Sequence, residues 1–234
     1  MTTFVLVHGG WHGGWCWRKT ARRLRDQGHD VFTPTLTGLG ERAHLISAAI
    51  NLDTHIQDVV SVIDYEDLKD VVLVGHSYGG MIIPAVAERM PGRIASLVYL
   101  DAFVPGDGDS LMSLTSDVFR PFLLEGASRL GGLASPPVSA EAFSVNPADR
   151  AWVDAKVGPH PFATFLQRIS LTGAWKDVPR KAYIYATGWS PNPYAALYER
   201  LLGETDWTVM TAPCGHDVMI DMPEELAGWL LDLR

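Results

Sequence analysis

The chain has 234 residues, 47% of them hydrophobic and 20% charged, with a formal net charge of −8. That length and composition suit one domain with a sizeable core, or such a domain with an inserted lid. The acidic balance excludes nucleic acid and anionic membrane as expected partners, and no apolar run approaches the roughly 18 residues a membrane span needs. Two cysteines, Cys16 and Cys214, are too few for a disulfide scaffold and read as free thiols of a reducing cytosol. Phe4–Val7 is too short for the apolar stretch of a signal peptide and lacks a basic flank, so the expected location is cytoplasmic.

Thr3–Val7 is predicted as a buried strand. It runs into His8-Gly9-Gly10-Trp11-His12-Gly13-Gly14-Trp15, where four glycines in six positions let backbone approach a ligand. Trp15–Asp26 has helical spacing, with Trp15, Trp17, Ala21 and Leu24 inward and Arg18, Lys19, Arg22, Arg23 and Arg25 on a solvated face. Gly28 ends that helix, and His29–Thr35 follows as a strand that Pro34 places at or near an edge. Leu36–Ile50 reads as a loop. Asp53–Asp67 reads as a helix with Ile56, Val59, Val60 and Ile63 on its apolar face and Asp53, Asp58, Asp64 and Glu66 at the surface.

Val71–Val74 is an apolar strand that ends in Gly75-His76-Ser77-Tyr78-Gly79, and a helix continues to Met90. Ile94–Leu100 is a further buried strand ending at Asp101-Ala102-Phe103. From 104 to 179 the periodicity weakens. This stretch is rich in Pro, Gly and Ser around Gly131–Val138, with apolar pieces at Val118–Leu124 and Phe162–Leu171. It reads as a cap inserted between two core strands and lining an apolar pocket. Strand character returns at Lys181–Thr187, helix at Tyr194–Leu202 and strand at Trp207–Ala212; Cys214-Gly215-His216-Asp217 follows, and Pro223–Leu233 closes the chain as a helix.

The alternation predicts an α/β fold: a mostly parallel sheet with helices on both faces, formed by residues 1–103 and 180–234, and a small helical cap formed by 104–179. Sites in such sheets lie at the carboxyl ends of strands. His8-Gly9-Gly10, Ser77, Asp101 and His216 all follow strands directly.

Strand, G-x-S-x-G and helix together are the unit that holds a nucleophilic serine on a sharp turn, which makes Ser77 the candidate nucleophile. Of the eight histidines, His216 follows the last strand and stands late in the chain, as the order Ser, acid, His requires; it is the candidate base. Asp101 lies 24 residues past Ser77 at the end of the neighbouring strand and is the preferred acid, with Glu199 and Asp206 as outside choices. Asp217, next to the base, is expected to point elsewhere. The N–H groups of Gly10 and Tyr78 are the candidate oxyanion donors. Trp11, His12, Tyr78 and Phe103, with Phe119, Phe122 and Phe162 from the cap, are the candidate pocket wall.

These motifs carry a resemblance over the whole chain. Val5-Leu6-Val7-His8-Gly9-Gly10-Trp11-His12-Gly13-Gly14-Trp15, Gly75-His76-Ser77-Tyr78-Gly79-Gly80 and Gly215-His216-Asp217 resemble the short bacterial esterases of the α/β-hydrolase fold, which are related to plant methylesterases and hydroxynitrile lyases and include pyrethroid and other carboxylester hydrolases. The resemblance implies a sheet without the fold's first two strands, a small helical cap, an apolar pocket, and neither cofactor nor metal. Plant members carry an Asp in the loop where this chain has Trp189 and its neighbours. Here Thr187–Pro193 has no carboxylate, which favours Asp101. Lactone hydrolases of the same fold place the acid after the strand beside the elbow, a support by analogy only.

The expectation is a serine hydrolase that cleaves medium-sized hydrophobic or aryl carboxylic esters through an acyl-enzyme. A lactone hydrolase, a hydroxynitrile lyase, a cofactor-free dioxygenase and a non-catalytic small-molecule receptor of the same fold stay open as alternatives. The lyase is disfavoured because Asp217 stands where its family carries a lysine and would repel an anion. A homodimer also stays open.

Overall fold

Runs of β-branched and aromatic residues place the strands, and the computed structural model describes all of residues 1–234. Six strands form the main sheet: β1 (Thr3–Val7), β2 (Asp30–Phe32), β3 (Val71–His76), β4 (Ile94–Leu100), β7 (Arg180–Ala186) and β8 (Trp207–Ala212). They are parallel and ordered β2-β1-β3-β4-β7-β8. The near-continuous apolar runs of β3 and β4 are buried on both faces, as central parallel strands must be. The predicted strand His29–Thr35 shortens to β2 at the edge, consistent with Pro34 offering no N–H for a ladder.

Helices cover both faces: α1 (Arg18–Asp26), α2 (Leu52–Tyr65), α3 (Ile83–Arg89), α8 (Ala195–Leu201), α9 (Val218–Asp221) and α10 (Pro223–Asp232) complete the core. Asn51 and Thr54 form a capping box that starts α2. The helix expected through Met90 begins instead with a 3₁₀ turn over Ser77–Met81, and only then becomes α3. One of the four acids expected at the surface of α2 is not there. Asp58 is half-buried and accepts hydrogen bonds from Thr37 N–H (2.7 Å), Thr37 Oγ1–H (2.8 Å) and Arg42 (3.3 Å), tying α2 to the loop after β2.

Between β4 and β7 lie α4 (Leu111–Leu114), α5 (Phe119–Arg129), the two-stranded ribbon of β5 (Ala134–Ser135) and β6 (His160–Pro161), α6 (Arg150–Asp154) and α7 (Ala163–Leu166). Parts of this stretch are knitted into the core. Phe143 O accepts His216 N–H at 2.9 Å, Lys19 pairs with Asp149 at 2.8 Å, and Trp11 N–H donates to His160 Nδ1 at 3.2 Å.

Register decides where the site forms. Val7 pairs with Gly75, and His76 with Leu100. Gly9-Gly10, Ser77 and Asp101 therefore leave neighbouring strands at nearly one level. The strand order reverses between β1 and β3, and the crevice outside such a switch point is where this class of sheet binds ligands.

Candidate active site

Ser77 follows β3 with φ +52°, a left-handed value that a side-chain-bearing residue adopts only when its surroundings impose it. The flanking glycines permit this turn. A Cβ at Gly75 would meet Gly79 O at 2.7 Å, and one at Gly79 would meet Val7 O at 2.9 Å. Trp11 (φ +63°) and Asp101 (φ +41°) turn out of β1 and β4 in the same left-handed region. Strain thus gathers at the carboxyl ends of the three central strands.

His216 and Asp101 are both buried, and His216 Nδ1 donates to Asp101 Oδ2 at 2.7 Å. The other carboxylate oxygen, Oδ1, accepts from Ala186 N–H (3.1 Å) and Asn192 Nδ2 (3.0 Å). Trp189, His76 and Phe143 surround the His216 ring, at centroid distances of 4.3, 4.5 and 5.0 Å. Neither outside acid comes near. Glu199 is exposed on α8, and exposed Asp206 pairs with Lys181 at 3.3 Å.

Ser77, His216, Gly10 and Tyr78 line one cavity of about 380 Å³, whose wall is mostly apolar and rich in aromatic rings. Ser77 Oγ lies 3.5 Å from the Tyr194 hydroxyl, its one side-chain hydrogen-bond partner. Catalytic hydrogen bonds in unliganded sites are commonly long and tighten with substrate. Of the wall residues expected from sequence, Trp11, Phe103 and Phe119 face the cavity.

Three others do not. His12 lies buried beneath the floor in an ion pair. Phe162 is buried against Phe165, and Phe122 stacks on the outer side of Phe119 while half-exposed. Phe143, Phe165, Trp189 and Tyr194 take their places. Phe143 and Trp189 sit in stretches without periodicity, so no sequence signal marks them. Tyr194 carries a weak signal, as an aromatic directly after the Thr187–Pro193 loop at the end of a strand.

A second buried charge pair lies behind the first. His12 Nε2–H donates to Asp217 Oδ2 at 3.0 Å and Nδ1–H to Gly10 O at 2.7 Å. Although burial opposes charging, the Asp217 carboxylate and these hydrogen bonds raise the His12 pKa, and His12 in turn holds Asp217 well below the usual carboxylate range. This pair ties the turn after β1 to the segment after His216. It also corrects the argument against a lyase. Asp217 is spent on His12 and does not face the cavity, so it presents no charge that would repel an anion there. His76, His216 and Asp217 bring ligand atoms within 4.8 Å of one another, but a cation there would meet the charge of His12.

The remaining buried histidines are neutral, and their partners fix the tautomers. His8 Nδ1–H donates to Gly9 O (2.8 Å) while Nε2 accepts Leu36 N–H (3.1 Å). His55 Nε2–H donates to Thr37 O (2.8 Å) while Nδ1 accepts the Tyr78 hydroxyl (2.9 Å). Burial, the largest cause, lowers the His8 pKa to about 3 and the His55 pKa to about 4, and it lowers those of His76 and His160 as well.

The unfolded chain takes up these protons near the ordinary histidine value, whereas the fold refuses them until far lower pH. Stability is therefore full above about pH 6.5 and falls below it, by about 1.4 kcal/mol per pH unit for each such histidine. Urea unfolding at pH 7 and pH 5 is expected to show a loss of several kcal/mol at the lower pH. A flat profile would sink the account of neutral buried imidazoles.

The model of the alpha/beta hydrolase family matches residues 4–229. The chain is 48% identical to a carbendazim hydrolyzing esterase of Nocardioides sp. (strain SG-4G), over 100% of both chains. It is 29% identical to putative methylesterase 11 of Arabidopsis thaliana, over 77% of this chain and 50% of that one. Among solved structures, an extracellular alpha/beta-hydrolase from a Paenibacillus species superposes with a TM-score of 0.87 at 25% identity, covering 100% of this chain and 99% of that one. A pyrethroid hydrolase from Sphingobium faniae JZ-2 gives 0.76 at 22%, covering 99% and 96%.

Proposed function

The chain belongs to the alpha/beta hydrolase family and is an ester-cleaving hydrolase, and from that premise we propose that Ser77, His216 and Asp101 are its catalytic triad. The observation that carries this reading is the 2.7 Å bond from His216 Nδ1 to Asp101 Oδ2 in the wall of the cavity that Ser77 enters. With Nδ1 donating to the carboxylate, Nε2 is the lone-pair nitrogen and accepts the Ser77 proton as Oγ attacks the carbonyl carbon. The oxyanion rests on the N–H groups of Gly10 and Tyr78. Collapse expels the alcohol with the proton from His216, and water repeats the sequence on the acyl-enzyme.

The cavity wall sets the substrate class. Aromatic rings and about 380 Å³ suit a small to medium hydrophobic or aryl ester. No helix is long and apolar enough to cross a membrane, and both cysteines are free, which suits a reducing cytoplasm.

The test is a panel of aryl and alkyl carboxylic esters, with carbendazim included for its link to the Nocardioides relative. It is paired with an organophosphate label read out by peptide mass spectrometry. Turnover of at least one ester class and labelling confined to Ser77 are expected. Labelling elsewhere, or full turnover after Ser77 is labelled, would overturn the assignment.

A further inference from the structure

Tyr194 is 4% exposed, and its hydroxyl has one partner, Ser77 Oγ at 3.5 Å. That is the long limit of a hydrogen bond, so a buried phenol stands nearly unpartnered in the wall of an apolar cavity. Its position is well defined. Tyr194 N–H donates to Asn192 Oδ1 at 2.8 Å, while Asn192 Nδ2 donates to Asp101 Oδ1 and Ala186 O, both at 3.0 Å. The ring stands edge-on to Phe103, with centroids 5.0 Å apart and planes at 89°. It runs nearly parallel to His216, at 6.0 Å and 28°. Asn192 thus uses both ends of its amide to tie the Tyr194 backbone to the acid behind the base.

Resting on the esterase reading above, we propose that Tyr194 is a catalytic residue on the leaving-group side, where its hydroxyl donates a hydrogen bond to the ester's alcohol oxygen as the acyl C–O bond breaks. The tetrahedral carbon bonded to Ser77 Oγ carries the oxyanion, the acyl substituent and the alcohol oxygen. The oxyanion belongs to the Gly10 and Tyr78 N–H groups. The alcohol oxygen faces His216 Nε2, which must protonate it. Tyr194 stacks on the His216 side and lies within reach of Oγ, so its hydroxyl meets that same oxygen.

In the collapse, the C–O bond breaks and its electron pair goes to the alcohol oxygen. The proton that His216 took from Ser77 moves to that oxygen, and Tyr194 keeps its own proton throughout. Burial pushes the Tyr194 phenol up, so it serves as a donor and never as the acid.

Help of this kind matters in proportion to how poor the leaving group is. The test measures kcat/KM, which reports acylation alone, for wild type and Tyr194→Phe on acetate esters of p-nitrophenol, phenol and methanol. Tyr194→Phe keeps the ring packing. The expected result is a loss of about 10- to 100-fold on the methyl ester and of no more than about threefold on the p-nitrophenyl ester, with an unchanged unfolding midpoint. An equal loss across the series, or no loss on any member, would overturn the proposal.

The wild-type series separates this idea from the parent one. Measurable wild-type turnover leaves the esterase reading standing however Tyr194→Phe behaves. A wild type that acylates no member overturns both.

Discussion

Ser77→Ala is expected to lower kcat on a p-nitrophenyl ester by about 10⁴-fold or more while the unfolding midpoint stays within a few degrees. The loss is large because no other hydroxyl can take over. Thr115 and Ser116 also reach the cavity wall, but neither follows a sheet strand as Ser77 follows β3. Of the hydroxyl residues that line the cavity, only Ser77 stands on a left-handed turn at a strand end. The site left behind is not expected to be inert, because the cavity and the proposed oxyanion donors, the Gly10 and Tyr78 N–H groups, remain. Activity above background, rather than zero, is therefore expected. Alanine keeps the Cβ and so keeps the left-handed turn, which is why no gain in stability is expected from relieved strain. Steady-state kinetics beside a thermal melt decide it. Retention of a tenth of wild-type kcat would move the nucleophile elsewhere.

Such a site was legible in parts, and the boundary between them is physical. Apolar runs marked β1, β3 and β4 because a parallel strand buried on both faces has little choice of residue. Ser77 was legible because the turn that carries it admits only glycine at 75 and 79. Asp101 could be named because it follows β4 directly, and parallel register brings the ends of β3 and β4 level.

What escaped is held by bonds between segments with no shared pattern. The His12–Asp217 pair joins residues 205 apart in the chain. Phe143 reaches the base through one backbone bond from His216 N–H. Asn192 stands in the Thr187–Pro193 loop, which has no carboxylate, and contributes an amide to Asp101. Asp58 looks like one more solvated acid on an amphipathic helix until the loop bearing Thr37 and Arg42 folds over it. The cap residues Phe122 and Phe162 were reasonable choices by type. Only the turn of α5 and the packing of α7 decide which aromatic of each cluster faces inward.

Asp101→Asn is the sharper test of the triad, because the substitution preserves shape and its failure has a specified cause. Asp101 Oδ1 receives two donors, Ala186 N–H and the Asn192 amide. An asparagine at 101 must therefore turn its carbonyl oxygen toward them, since its own NH₂ would meet donors there. Its NH₂ then faces His216 Nδ1, which has to become an acceptor. The ring proton moves to Nε2, the nitrogen that must be bare to accept the proton of Ser77. The base is thereby held in the wrong tautomer, and its cation loses the buried carboxylate that stabilises it. A fall of about 10³- to 10⁴-fold in kcat is expected, the scale seen when a triad acid is replaced by its amide. KM should move far less, because the cavity wall is untouched. A loss under tenfold would remove Asp101 from the triad. Glu199 and Asp206 could not replace it without rearrangement, since one is exposed on α8 and the other, also exposed, pairs with Lys181. The buried carboxylate left within one residue of the base would then be Asp217, which would have to give up His12 to reach it. The double variant Asp101→Asn/Asp217→Asn distinguishes the cases, because only an acid supplied by Asp217 makes the second substitution cost a further large loss of kcat.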